Sequence, residues 1–298
     1  MLRIPEDLVA SHTRYFGAAG RPWLDALPQL VATLLDRWEL RPDGEPMCGA
    51  VALVLPVRRA DGSGAVLKAQ PVDDETAGEP IALRAWAGNG AVRLQRHDPD
   101  SGSMLLDRLD PDRSLADLPD DLAALRILSE LLVRLNAVTA PPGIRRLADV
   151  AGAMLDRVPQ ALVRVSGVAE RRLIDRCAGA VGELLPEAGD RLLHWDLHYD
   201  NVLGDQAGRW LAIDPKPLAG DPGFELLAAL HNRWADVVAT GDVARAVRRR
   251  FDLMTEILRL DRQRAAGWTL GRILQNLLWD DDFLEPDTAI AAMLIDAY

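Results

Sequence analysis

Lysine and cysteine are nearly absent from this chain. Its two cysteines, Cys48 and Cys177, lie far apart in sequence. That excludes a disulfide framework and a cysteine-rich zinc site, and a reducing interior is expected. No stretch approaches the roughly 20 apolar residues of a membrane span, and the opening MLRIPEDLVASHTRYFG mixes charges without an apolar core. Neither membrane anchor nor export signal is expected, and the cytoplasm is the expected location. The net charge of −11 lacks the basic face that nucleic-acid phosphates require, so no nucleic acid is expected and a cationic partner is electrostatically easier. With 49% hydrophobic and 27% charged residues, the 298-residue chain reads as an ordinary globular protein, long enough for one large domain or two lobes.

Of 34 basic residues only Lys68 and Lys216 are lysines. Codon bias toward arginine accounts for the skew. A lysine that survives in such a chain nevertheless marks a site suited to a compact ammonium rather than a planar fork, and this singles out Lys68.

Residues 22–39 carry Leu24, Leu27, Leu30, Val31, Leu34 and Leu35 at helical spacing, which predicts an amphipathic helix. VALVLPVRR and AVLKAQPV flank an Asp-Gly turn and predict a β-hairpin with Lys68 in its second strand. A short helix ended by glycine is predicted over 79–88, then a strand pair in AVRLQRHD and GSMLLDRLD. From about residue 120 the pattern turns helical, with Ser166 as the expected N-cap of 167–185 and a β-hairpin turning at 204–208. The expectation is an α+β protein of two lobes: residues 1–109 with a small antiparallel sheet, and residues 110–298, mainly helical.

LLHWDLHYDNVL, residues 192–203, concentrates polar side chains between apolar ends. Phosphoryl transfer from ATP needs a carboxylate beside the acceptor hydroxyl, oxygen ligands for Mg2+, and a cation on the non-transferred phosphates. One residue fits each need. Asp196 would accept or orient the hydroxyl proton, Asn201 and Asp214 would hold Mg2+, Lys68 would hold the α- and β-phosphates, and Glu79 would fix the direction of Lys68. An alternative from another class is a zinc hydrolase built on His194, Asp196 and His198, whose alternation places them on one side of an extended strand. It leaves Lys68 and Asn201 without a role.

The arrangement resembles the protein-kinase-like fold, where His-x-Asp-x-x-x-x-Asn makes the catalytic loop. His194-Trp195-Asp196-Leu197-His198-Tyr199-Asp200-Asn201, with Ile213-Asp214-Pro215-Lys216 and Gly220-Asp221-Pro222, is similar to the aminoglycoside/hydroxyurea antibiotic resistance kinases of the streptomycin 6-phosphotransferase kind. The resemblance implies an ATP- and Mg2+-dependent kinase of a small-molecule acceptor, an aminoglycoside-type antibiotic or hydroxyurea, with a metabolic sugar as the alternative acceptor. It also implies a phosphate cover around Gly49 in PMCGAV, adenine against the backbone at Asp107–Leu109, and a catalytic loop braced by His194. Two departures stand out: Trp195 occupies a position where such kinases usually carry glycine, and PMCGAV is not a G-x-G-x-x-G loop. Asp221 and Glu225 read as an N-cap and a helix-start acid that anchor the loop. The run from Trp279 to Asp287 holds five acids in nine residues. It reads either as a solvated loop whose final acids cap the last helix, or as Asp280, Asp281 and Asp282 attracting a cationic acceptor with Trp279 as a stacking face.

Overall fold

The two strands of the predicted hairpin, Leu53–Arg58 and Gly64–Ala69, carry its apolar residues and form the middle of the first unit's sheet. In this computed structural model residues 3–279 and 283–297 are described, and they form two compact units: one within Met1–Gly88 and Val92–Leu109, the other within Asn89–Ala91 and Asp110–Tyr298. The first carries α1 (Glu6–Phe16), α2 (Arg21–Arg37), α3 (Glu79–Trp86) and six strands: β1 (Arg41–Pro42), β2 (Met47–Cys48), β3 (Leu53–Arg58), β4 (Gly64–Ala69), β5 (Leu94–His97) and β6 (Met104–Asp107). They pair antiparallel in the order β1-β3-β4-β6-β5, with β2 also on β3. One face of the sheet presents Leu53, Leu55, Leu67 and Leu105 to Leu24, Leu27, Val31 and Leu34 of α2, which buries the predicted helix face. Each such leucine contributes roughly 1.5–3 kcal/mol. The helix predicted to end at a glycine ends at Ala87, which takes the left-handed conformation (φ +49°) one residue before Gly88.

The second unit holds β7 (Asp110–Ser114), β8 (Arg145–Arg146), β9 (Arg191–Leu193), β10 (Val202–Gly204), β11 (Trp210–Ala212) and β12 (Leu218–Gly220). Its helices are α4 (Asp121–Leu135), α5 (Leu147–Arg164), α6 (Val168–Leu184), α7 (Leu226–Leu230), α8 (Trp234–Ala239), α9 (Val243–Leu258), α10 (Arg262–Trp279) and α11 (Glu285–Ala297). Residues 89–91 join this unit because Ala91 bridges Ala212 and the Gly90 carbonyl accepts from Ala212 N. The hairpin β10–β11 turns where the sequence places it, and β7 adds antiparallel to β10. A second small sheet runs β8-β12-β9, with β12 parallel to β8 and antiparallel to β9. Ser166 does not cap α6. The N-cap is Gly167, and the Glu170 carboxylate folds over it, so that a Cβ there would lie 1.7 Å from Glu170 Oε2. An acid at the third helical position covers the helix start instead. No helix among the described residues is long and apolar enough to cross a membrane.

Candidate active site

In the first unit, β4 lies between β3 and β6 and alternates Leu67 toward the core with Lys68 on the other face. Lys68 Nζ stands 2.7 and 2.8 Å from the two carboxylate oxygens of Glu79, the first residue of α3. Gln70 Nε2 donates to the same carboxylate at 2.6 Å. Both charges are almost fully buried. A buried pair is tolerated only with such a set of donors, and it fixes the direction of the ammonium. Gly49 follows β2 in a turn closed by its N–H to Ala52 O at 2.9 Å, and a Cβ there would meet only Ala52 Cβ at 3.9 Å. Sequence reading missed what holds this turn: Ser11 of α1 bonds the Ala50 carbonyl, and His12 Nε2 donates to Val51 O at 2.8 Å. Asp107 ends β6, with its N–H on Arg93 O and its carboxylate accepting from Gln95; half-buried Leu109 closes the unit.

In the second unit, the loop after β9 and the loop before β12 are zipped together. His194 Nε2 donates to Ile213 O at 2.9 Å, Lys216 N donates to His194 O at 3.0 Å, and Ile213 N donates to Asn201 O at 2.9 Å. The register explains this, because β9 and β12 pair Leu193 with Leu218, and extending it two residues sets the loops side by side. His194 is fully buried, and burial pushes its pKa down to about 4, so the ring is neutral and serves as a brace. Asn201 Nδ2 donates to Asp196 O at 2.9 Å, which commits the amide nitrogen and leaves the amide oxygen as the acceptor a hard cation requires. Asp214 stands in the left-handed region (φ +57°).

Trp195 also has a left-handed backbone (φ +68°), a conformation that glycine adopts freely and tryptophan does not. Its N–H donates to Glu225 Oε1 at 2.8 Å, and its ring lies between the guanidinium groups of Arg145 and Arg272, 5.0 and 5.5 Å from the ring centroid. Glu225 is fully buried, and desolvation pushes its pKa up to about 7. Asp221 caps its helical turn through Gly223 N at 2.8 Å. Asn232 Oδ1 accepts from Tyr199 N at 3.1 Å and pins the far side of the loop.

A cavity of about 340 Å³ opens beside Asp196, lined also by His198, Asp200, His231, Arg272 and Asn276. Behind it Asp287, read from sequence as a solvated or capping acid, is wholly buried. It lies 2.7 Å from His231 Nε2 and accepts from Asn276 Nδ2 at 3.0 Å, because the start of α11 packs inward there. Trp279 is exposed and stands outside the cavity lining, and Asp280, Asp281 and Asp282 lie outside the described residues. The zinc reading fails on geometry. His194 is spent on Ile213, His198 Nδ1 lies 3.2 Å from Asp200, and no group of three or more His, Cys, Asp or Glu among the described residues could hold a metal. Sequence reading passed over Lys216, whose ammonium lies 3.0 Å from Asp196 Oδ2; the scarcity of lysine was the available signal.

The family described as aminoglycoside/hydroxyurea antibiotic resistance kinase matches residues 37–282. The chain is 58% identical to a streptomycin 6-kinase of Streptomyces glaucescens over 94% of this chain and 91% of that protein. It is 50% identical to a hydroxyurea phosphotransferase of Kitasatospora aureofaciens over 99% of this chain and 86% of that protein. Among solved structures it is similar to a ternary complex of aminoglycoside phosphotransferase APH(4)-Ia with ADP and hygromycin B, with a TM-score of 0.58 and 17% identity over 89% of this chain and 97% of that one. At that identity the likeness is one of fold, the protein-kinase-like fold. The family match covers most of the chain and the two relatives align over more than nine-tenths of it, so the chain belongs to the aminoglycoside/hydroxyurea antibiotic resistance kinases and is a phosphotransferase.

Proposed function

We propose that this kinase transfers the γ-phosphoryl group of ATP to a hydroxyl of a cationic, streptomycin-like aminoglycoside, with Asp196 as the base. The observation that carries the reading is the Asp196 carboxylate on the wall of the 340 Å³ cavity, with Asp200 beside it and Asn201 oriented by the Asp196 carbonyl. Lys68, aimed by Glu79, holds the α- and β-phosphates, and Gly49 and its neighbours cover them. The adenine lies against the backbone of Asp107–Leu109. Asn201 and Asp214 hold Mg2+, which supplies charge neutralisation on the phosphates; one carboxylate and one amide suit an ion that keeps several waters. The net charge of −11 favours a cationic acceptor. Hydroxyurea is the second reading, favoured by 50% identity to a hydroxyurea phosphotransferase over 99% of the chain.

The test is a kinase assay against cationic aminoglycosides, hydroxyurea and sugars at low and physiological salt, with mass detection of the added phosphate. The expected best acceptor is cationic, with a KM that rises several-fold as screening shortens to about 8 Å. Asp196→Asn should lower kcat by on the order of 10²–10⁴ with little change in nucleotide affinity. Near-normal turnover of that variant removes Asp196 from the chemistry.

A further inference from the structure

The two lysines of this chain both end on carboxylates. Lys68 of β4 meets Glu79 of α3 in the buried interior of the first unit, whereas Lys216 meets Asp196 at the cavity. The second pairing is imposed by the fold. The Lys216 backbone N–H is fixed on His194 O, two residues from Asp196, and β12 begins two residues later in register with β9. Lys216 is therefore held in the loop that leads into β12, beside the catalytic loop, and its ammonium reaches Asp196 Oδ2 at 3.0 Å. Both side chains are partly open to solvent, 39% and 27% exposed, and a pair so placed contributes little to stability. Its consequence is orientation.

We propose that Lys216 is the positioning residue of the catalytic carboxylate: by holding Oδ2 it turns Oδ1 toward the acceptor hydroxyl. The inference rests on the reading of Asp196 as the base. In the step, the acceptor oxygen forms a bond to the γ-phosphorus. The bond from that phosphorus to the β–γ bridging oxygen breaks, and its electron pair leaves on the nucleoside diphosphate. The hydroxyl proton passes to Oδ1 of Asp196, and Lys216 keeps its protons throughout. An ammonium is a point donor that binds one oxygen and leaves the other open. A guanidinium is a fork that takes both oxygens of a carboxylate. In a chain whose 34 basic residues include only one other lysine, Lys68, a lysine here has a chemical reason.

The test is a kinetic double-mutant cycle on the full-length enzyme with its best acceptor. Lys216→Met should lower kcat by about 10–100-fold, the loss typical of a misplaced reacting group, with both KM values within about threefold of wild type. Lys216→Arg should also lose about tenfold in kcat despite its conserved charge. In an Asp196→Asn background, Lys216→Met should cost less than threefold more, because the residue acts through the carboxylate. Lys216→Gln, close in stem length, is read in the same way should the methionine variant fold poorly, with folding followed by thermal unfolding and Mg-ATP affinity by calorimetry. Near-normal kcat in the methionine and glutamine variants, full activity of the arginine variant, a loss confined to acceptor KM, or losses that multiply in the cycle would each overturn the proposal. Asp196→Asn with normal turnover instead overturns the reading of Asp196 on which it rests.

Discussion

Trp195 sets two physical effects against each other, and their sizes decide which one governs. Its backbone sits at φ +68°, a conformation that costs a non-glycine residue about 1–2 kcal/mol. Its ring is 5% exposed and lies between Arg145 and Arg272. A buried tryptophan covers about 150–250 Å², worth roughly 4–6 kcal/mol at about 25 cal/mol per Å², and each cation–π contact adds about 0.5–1 kcal/mol. Burial exceeds strain, so Trp195→Gly should destabilise the second unit by about 4–6 kcal/mol. Trp195→Ala loses the same ring but keeps the left-handed backbone. It should therefore be less stable than Trp195→Gly by about 1 kcal/mol, the reverse of the usual order of alanine and glycine. Urea unfolding of the three proteins, followed by far-UV circular dichroism, measures both differences. The account is refuted if either variant is as stable as wild type, or if alanine is the better of the two.

Three further outcomes follow from the same geometry. Lys68→Met should cost about 3–5 kcal/mol in thermal unfolding by stranding the Glu79 carboxylate, and adding Glu79→Leu should recover most of it; a double variant as unstable as the single one would contradict this. Asp214→Ala should abolish the magnesium-dependent part of nucleotide binding by calorimetry, and unchanged Mg-ATP affinity would show that Asp214 only shapes the loop between β11 and β12. His194, at about 4 when folded against 6.5, contributes stability that is present above pH 6.5 and lost as pH falls toward 4. Glu225, at about 7 against 4.5, contributes stability that is present below pH 4.5 and lost as pH rises through 7. The two slopes oppose between pH 4.5 and 6.5. Glu225→Gln should therefore leave a protein that, relative to wild type, loses about 1.4 kcal/mol per pH unit on acidification across that window, as read by urea titration. Parallel profiles for the two proteins would refute the assignment.

What the sequence determined by itself depends on neighbours along the chain, apart from the exact caps of α3 and α6. The alternation around an Asp-Gly turn places Lys68 on a strand. The helical repeat after residue 79 starts a helix at Glu79, and the spacing from His194 to Asn201 sets the loop. Such patterns reflect backbone geometry over a few residues, and that geometry is the same in any fold. The tertiary structure decided what depends on the register of distant strands and on burial. Lys216 meets Asp196 because β9 pairs with β12. Asp287 is buried against His231 and Asn276 because α11 packs inward, although it follows a run of acids in sequence. Trp195 tolerates a glycine-like backbone only because Glu225, Arg145 and Arg272 converge on it from three other elements. Local periodicity carries no record of which strand lies beside which, and the desolvation that moves His194 and Glu225 in opposite directions exists only once those elements have closed around them.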